Sequence, residues 1–123
     1  MSNKLILVVE DSPTEKMIAV TACEQAGYRV ITAGDGEEAL QMTLDNRPDL
    51  ILLDVILPKK NGFQICRQIK STPDIQQTKI IMVTSKSQDS DRFWGIKQGA
   101  DDYLTKPYAE SELLDLISKH LQA

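Results

Sequence analysis

Five short apolar runs alternate along the chain with segments in which apolar residues recur every three to four positions. The runs lie near residues 5, 30, 50, 80 and 103. Nearly continuous apolar runs are typical of parallel strands covered on both faces, and the segments between them have the period of helices. The pattern therefore predicts an α/β fold, a doubly wound parallel sheet, with residues 1–123 forming a single domain.

The helical segments carry their own start signals and apolar stripes. Ser12 and Pro13 suit the cap and first position of the first helix, Glu15 could complete a capping box, and Gly27 is a natural stop. The residues expected to face the core are Ile18, Ala19, Ala22, Cys23, Ala26, Ala39, Leu40, Thr43, Leu44, Gly62, Ile65, Cys66, Ile69, Phe93, Ile96, Leu113, Leu114, Ile117 and Leu121. Three methionines are also assigned to core packing, namely Met17, Met42 and Met82.

Composition excludes several classes of function. The formal charge is −4 and no basic run exceeds Lys59-Lys60, so nucleic-acid binding is not expected. The apolar runs are too short to insert into a membrane, and the first residues do not resemble a signal peptide. Cys23 and Cys66 are expected to be reduced core thiols, which favours a cytoplasmic protein.

Polar residues follow the predicted strands. Glu10 and Asp11 follow the first run, Asp54 the third, Thr84 the fourth and Lys106 the fifth. Because parallel strands place their carboxyl ends at one edge, where open α/β sheets bind ligands, these groups should meet. Carboxylates so close would repel one another without a cation, and Mg²⁺ prefers oxygen ligands. Asp54 could then attack a phosphoryl donor, with Lys106 and Thr84 contacting the phosphoryl oxygens.

Each of these residues has a plainer interpretation when it is taken alone, as a solvated loop residue, a turn cap or a surface lysine. Their coincidence at one edge favours a site. Pro107 is expected to shape the loop that directs Lys106 inward, although spacing does not decide whether its peptide bond is cis. His120 is expected to be a cation at a helix end and not a phosphodonor.

The motifs together resemble the CheY-like receiver domain of two-component response regulators over essentially the whole chain. They are Glu10-Asp11-Ser12, Asp54-Val55-Ile56-Leu57-Pro58, Asn61-Gly62, Val83-Thr84-Ser85, Gly99-Ala100-Asp101-Asp102-Tyr103 and Lys106-Pro107. The resemblance implies a flavodoxin-like fold, with five parallel strands in the order 2-1-3-4-5 and five helices. It also implies a phosphoacceptor switch that catalyses only its own phosphorylation and dephosphorylation.

The resemblance assigns roles position by position. The implied residues are the phosphoacceptor Asp54; the Mg²⁺ ligands Glu10, Asp11, Asp54 and the backbone carbonyl of Ile56, with Mn²⁺ as an alternative ion; the phosphate-sensing Thr84 and Lys106; and the switch residue Tyr103. Ile56 and Lys86 occupy the variable positions that flank the phosphoryl group. Neither offers a carboxylate or amide to orient water, so slow dephosphorylation is expected.

The implied partners are a sensor histidine kinase or phosphotransfer protein and a downstream target. No attached output domain is expected, so the signal is expected to reach the target by protein contact. The expected output face includes Arg92, Tyr103, Thr105 and Leu116, and Leu116 is expected to be exposed. For Trp94 two roles stay open, half-buried packing and contact with a partner. The chain looks most like PilG/PilH-type stand-alone regulators of twitching motility and phototaxis. A flagellar chemotaxis-like role, a phosphate sink and phosphorylation-dependent dimerisation stay open.

Two other classes fit less well. A haloacid-dehalogenase-like aspartyl phosphatase would need a second acid two residues after the nucleophile, where this chain has Ile56, and room for a cap. A flavodoxin-like electron carrier would need a hydroxyl- and glycine-rich loop after the first strand. The segment Glu10-Asp11-Ser12-Pro13 would instead repel a flavin phosphate.

Overall fold

The computed structural model describes residues 3–122 and contains five strands that alternate with five helices. The elements are β1 (Leu5–Val9), α1 (Pro13–Gln25), β2 (Arg29–Ala33), α2 (Gly36–Asn46), β3 (Leu50–Leu53), α3 (Gly62–Lys70), β4 (Lys79–Thr84), α4 (Asp89–Lys97), β5 (Asp102–Thr105) and α5 (Glu110–Leu121). All strand pairs are parallel, in the order β2-β1-β3-β4-β5. The predicted α/β class and the flavodoxin-like strand order are confirmed.

The sheet divides the core into two apolar layers. Leu7 and Val9 of β1 face the layer covered by α2 and α3, whereas Ile6 and Val8 face the layer covered by α1 and α5. Successive side chains of a strand point to opposite faces, so a strand covered on both sides must be apolar throughout. This explains the continuous apolar runs of the sequence.

The first helix begins as predicted but without the predicted capping box. The Ser12 hydroxyl accepts a hydrogen bond from the Glu15 N–H at 3.4 Å, and Pro13 occupies the first helical position. The Glu15 carboxylate does not return a bond to Ser12, because it contacts Lys106 at 3.1 Å. The Ser12 N–H donates instead to Glu10 Oε2 at 3.3 Å.

Several residues assigned to the core lie on the surface. Met17 is 64% exposed and Phe93 is 65% exposed, and the other large apolar residues that the prediction misplaced are Ile18, Leu44 and Ile96. Helix α1 packs through small side chains, which allow a close approach and leave its larger neighbours outside. In α4 only Gly95 is buried. Met82 is fully buried and Met42 packs against the core, as predicted.

Both cysteines are buried free thiols, as expected, and burial raises the pKa of each to about 12. Cys23 lies in the layer under α1, and Cys66 lies in the layer under α3. Across residues 3–122, the helices lack the length and apolar character needed to cross a bilayer.

Candidate functional site

Two acids stand at the carboxyl ends of neighbouring strands. Glu10 follows β1 and Asp54 follows β3, and these strands pair directly. The Asp54 N–H donates to the Val9 carbonyl at 3.2 Å, and the Glu10 N–H donates to the Ala33 carbonyl at 3.0 Å. Both acids are buried. Backbone pairing therefore fixes the two carboxylates side by side, as the sequence predicted.

Lys106 reaches these acids from the loop after β5. Its backbone N–H donates to the Thr84 carbonyl at 2.8 Å, and its bond to Pro107 is cis. The ammonium donates to Glu10 Oε1 at 2.5 Å and to Asp54 Oδ2 at 3.0 Å. The loop thus places one cation between the two buried acids.

Burial and mutual contact shift the pKa values of Glu10 and Lys106. Burial raises the pKa of Glu10, and the nearby Asp54 charge adds to this, against the lowering effect of the Lys106 hydrogen bond. Burial alone would lower the pKa of Lys106, but the hydrogen bonds to Glu10 and Asp54 outweigh it and raise that pKa. The lysine therefore stays protonated at neutral pH.

The third carboxylate at the site is Glu15, whose position in the sequence indicates only a helix cap. Oxygens of Glu10, Glu15 and Asp54 lie within 4.8 Å of one another. Three carboxylates share one ammonium, so the site carries excess negative charge, and its oxygen donors fit Mg²⁺. The side chain of Asp11 is exposed and lies outside this group. Its ligand role stays a prediction. The start of α1 at this edge is the signal that could have identified Glu15.

The loop after β3 orients the Asp54 carboxylate. Asp54 Oδ1 accepts a hydrogen bond from the Ile56 N–H at 3.1 Å, so both of its oxygens are held by donors. The Gly62 N–H donates to the Val55 carbonyl at 2.8 Å. A Cβ atom on Gly62 would lie 2.8 Å from the Val55 Cα, so only glycine fits there. The Ile56 side chain is exposed at the rim.

Thr84 and Tyr103 both contact the backbone of Lys86, in the loop between β4 and α4. Thr84 is fully buried, and its hydroxyl accepts a hydrogen bond from the Lys86 N–H at 3.4 Å. The Tyr103 ring is buried, and its hydroxyl donates to the Lys86 carbonyl at 2.6 Å. Burial raises the pKa of Tyr103 to about 12, so the phenol stays protonated. The ring that the resemblance assigns as the switch residue therefore lies inside the domain in this structure.

One residue of the predicted output face is less exposed than expected. Arg92 Nη1 donates to the Tyr103 carbonyl at 2.9 Å, and its guanidinium carbon lies 5.1 Å from the Tyr103 ring centre. Thr105 pairs with Thr84 in the sheet and is half-buried. Leu116 was expected to be exposed but is half-buried, because the packed face of α5 is wider than its main apolar stripe. Trp94 is about half exposed.

His120 lies away from the acidic group. Its Nε2 is 3.0 Å from Asp102 Oδ2, at the start of β5, whereas the acids follow the ends of β1 and β3. This agrees with the expectation that His120 is a helix-end group.

Comparison with known proteins gives one consistent result. The family model described as the response regulator receiver domain matches residues 6–118. Pseudomonas aeruginosa PilH is 40% identical over 92% of this chain and 93% of its own length, and PilG from the same organism is 38% identical over 94% and 86%. PhoP of Bacillus subtilis, a transcriptional regulatory protein for alkaline phosphatase synthesis, is 43% identical over 90% of this chain but only 45% of its own length.

Solved structures agree with this result. A putative response regulator from Chloroflexus aurantiacus has a TM-score of 0.94 and 33% identity, with 98% of each chain covered. Chemotaxis protein CheY4 of Vibrio cholerae has a TM-score of 0.91 and 30% identity over 98% of this chain and 100% of its own. A sensor histidine kinase receiver domain from Pseudomonas aeruginosa has a TM-score of 0.88 and 30% identity over 96% and 97%, with a magnesium ion coordinated in its active-site cleft. This chain therefore belongs to the response regulator receiver domain family.

Proposed function

We propose that this chain is a phosphorylation switch that accepts a phosphoryl group on Asp54 and signals through protein contacts. The main support for this proposal is the buried Asp54 carboxylate, which has one oxygen held by the Ile56 N–H and the other by the Lys106 ammonium. A carboxylate held in this way at a strand end is oriented for attack. The membership in the receiver family supports the same role.

In the proposed reaction the donor is a phosphohistidine of a sensor kinase or phosphotransfer protein. An Asp54 oxygen forms a bond to phosphorus while the P–N bond breaks. The electron pair of the P–N bond returns to the imidazole nitrogen of the donor. Lys106 then faces the phosphoryl oxygens and stabilises their charge. Mg²⁺ would neutralise the crowded negative charges. Its site would be formed by Glu10 and Asp54 with the predicted ligands Asp11 and the Ile56 carbonyl. The proposed chemistry is limited to the phosphorylation and dephosphorylation of the chain itself.

The proposed output passes through the residues beside the phosphoryl group. The Thr84 hydroxyl would donate to a phosphoryl oxygen. In this structure the same hydroxyl accepts a hydrogen bond from the Lys86 N–H, so Lys86 would move with Thr84. The Lys86 carbonyl also accepts a hydrogen bond from the Tyr103 hydroxyl, and Arg92 donates to the Tyr103 carbonyl. Both Tyr103 and Arg92 would therefore shift when Lys86 moves. We infer that the face formed by α4, β5 and α5 contacts the target, with Trp94 available to it.

The proposed pathway is motility or taxis of the pilus, twitching or phototaxis type. The match over 93% of PilH supports a single receiver domain spanning residues 1–123. The likeness to CheY4 supports a flagellar chemotaxis-like regulator as the second candidate. Capture of target proteins with the phosphorylated form would separate the two. We place the protein in the cytoplasm, in keeping with its free thiols. Measurement of the molecular mass in solution, with and without phosphorylation, tests for a phosphorylation-dependent homodimer.

The test is the intact mass of the protein after incubation with acetyl phosphate and Mg²⁺. The wild type should gain one phosphoryl group, and the gain should be absent in Asp54→Asn and in a sample with EDTA. Asp115→Asn, which removes an exposed acid from α5, should still gain it. A wild type that gains no phosphoryl group and binds no Mg²⁺ contradicts the proposal.

A further inference from the structure

The Lys106 ammonium has no donor left for a phosphoryl group. An ammonium offers three N–H donors. In this structure they contact Glu10 at 2.5 Å, Asp54 at 3.0 Å and Glu15 at 3.1 Å. Lys106 can donate to a phosphoryl oxygen only after one of these carboxylates gives up its hydrogen bond.

Burial identifies the carboxylate that leaves most easily. The side chains of Glu10 and Asp54 are 7% and 8% exposed, whereas that of Glu15 is 46% exposed. Glu10 also accepts the Ser12 N–H, and Asp54 also accepts the Ile56 N–H, which hold both acids in place. Water can replace Lys106 at a half-exposed carboxylate with little loss, since such ion pairs contribute little net free energy. Glu15 is therefore the exchangeable partner.

The surface beside Glu15 gives its carboxylate room to move. Glu15 lines an open groove of about 320 Å³, together with Ile18, Ser85, Lys106, Pro107 and Tyr108. It also borders the narrow space beside Glu10 and Asp54. The side chain can turn from the acidic group into the groove without a change in helix α1.

We propose that Glu15 is a positioning residue that holds Lys106 in the unphosphorylated protein and is displaced by the incoming phosphoryl oxygen. The inference rests on the proposed function at Asp54. Because the contact between Glu15 and Lys106 must break before Lys106 pairs with the phosphoryl group, Glu15 slows phosphorylation. It keeps the lysine pointed at Asp54 while the site waits for a donor.

The kinetic test compares three variants with the wild type at saturating Mg²⁺, with Mg²⁺ affinity titrated separately for each. Glu15→Gln should be phosphorylated by acetyl phosphate about two- to fivefold faster, the range for one partly exposed ion pair. Glu15→Asp keeps the charge but is one methylene shorter, and its rate should fall between. Glu24→Gln, which removes an exposed charge from the same helix, should match the wild type. A Glu15→Gln rate equal to or below that of the wild type overturns the inference.

A second measurement does not depend on phosphorylation. The ammonium N–H signals of Lys106 in the NMR spectrum, recorded without Mg²⁺, should exchange with water faster in Glu15→Gln than in the wild type. Unchanged exchange overturns the inference even if Asp54 is phosphorylated. A wild type that cannot be phosphorylated contradicts the proposed function instead, while the exchange measurement still decides whether Glu15 holds Lys106.

Discussion

Replacement of Lys106 by methionine should destabilise the protein in a way that depends on pH and on divalent cations. The ammonium lies 3.0 Å or less from the buried carboxylates of Glu10 and Asp54. Methionine keeps much of the aliphatic stem but removes the charge. Removing one partner of a buried ion pair costs about 3–5 kcal/mol, because the remaining charge is left without a counter-ion.

Protonation of Glu10 sets the upper limit of that loss. Protonating a carboxyl with an ordinary pKa costs roughly 4 kcal/mol at pH 7, so a buried acid takes up a proton once its charge costs more. Burial already raises the pKa of Glu10, which makes it the acid that is protonated. A group whose pKa is raised by folding stabilises the protein at low pH and loses this effect as the pH rises. The deficit of Lys106→Met should therefore shrink by up to about 1.4 kcal/mol per unit as the pH falls.

Urea denaturation measures the effect. In EDTA at pH 7, Lys106→Met should lose about 3 kcal/mol of unfolding free energy. Part of this loss should return at pH 5.5, and part should return with Mg²⁺ at pH 7. Lys119→Met removes an exposed lysine and should change stability by less than about 1 kcal/mol. A deficit for Lys106→Met below about 1 kcal/mol, or one that is equal at both pH values, would refute the reasoning.

Three further substitutions probe the surroundings of the site. Gly62→Ala should destabilise the protein by about 2 kcal/mol or more in urea denaturation, because its Cβ would collide with the backbone at Val55; wild-type stability would contradict this. Ile56→Asn should shorten the lifetime of the phosphorylated protein in an intact-mass time course, since its amide could orient water; an unchanged or longer lifetime would contradict the assigned role. Tyr103→Phe removes the hydrogen bond to the Lys86 carbonyl and should lower thermal stability by about 1 kcal/mol; an equal melting temperature would argue against that bond.

The fold was predictable because both faces of the sheet are covered. The continuous apolar runs could be strands only if they were buried on both sides, and Asp54, which follows β3, marked the carboxyl edge. The meeting of Glu10, Asp54 and Lys106 was predictable because each follows a parallel strand, and parallel strands place their carboxyl ends at one edge of the sheet. Predicting which residues follow a strand requires no knowledge of side-chain packing.

The surfaces of the helices were less predictable. Helical periodicity shows which residues share a face, but it does not show how closely that face approaches the sheet. Small residues bring α1 close and leave Met17 and Ile18 outside, whereas Leu116 packs because α5 buries a broad face. Glu15 was missed for a similar reason. Its capping position is local in sequence, but its actual partner, Lys106, lies 91 residues away.

Helix α4 is anchored far less than its neighbours. It has nine residues, and Gly95 is its only buried one, while Phe93, Trp94 and Ile96 project outward. A helix this short is marginal in water without tertiary packing. Amide hydrogen exchange should therefore be fastest here among the five helices, since local opening needs little free energy. The segment proposed to report the state of Asp54 is therefore also the one expected to unfold and re-form while the rest of the domain stays intact.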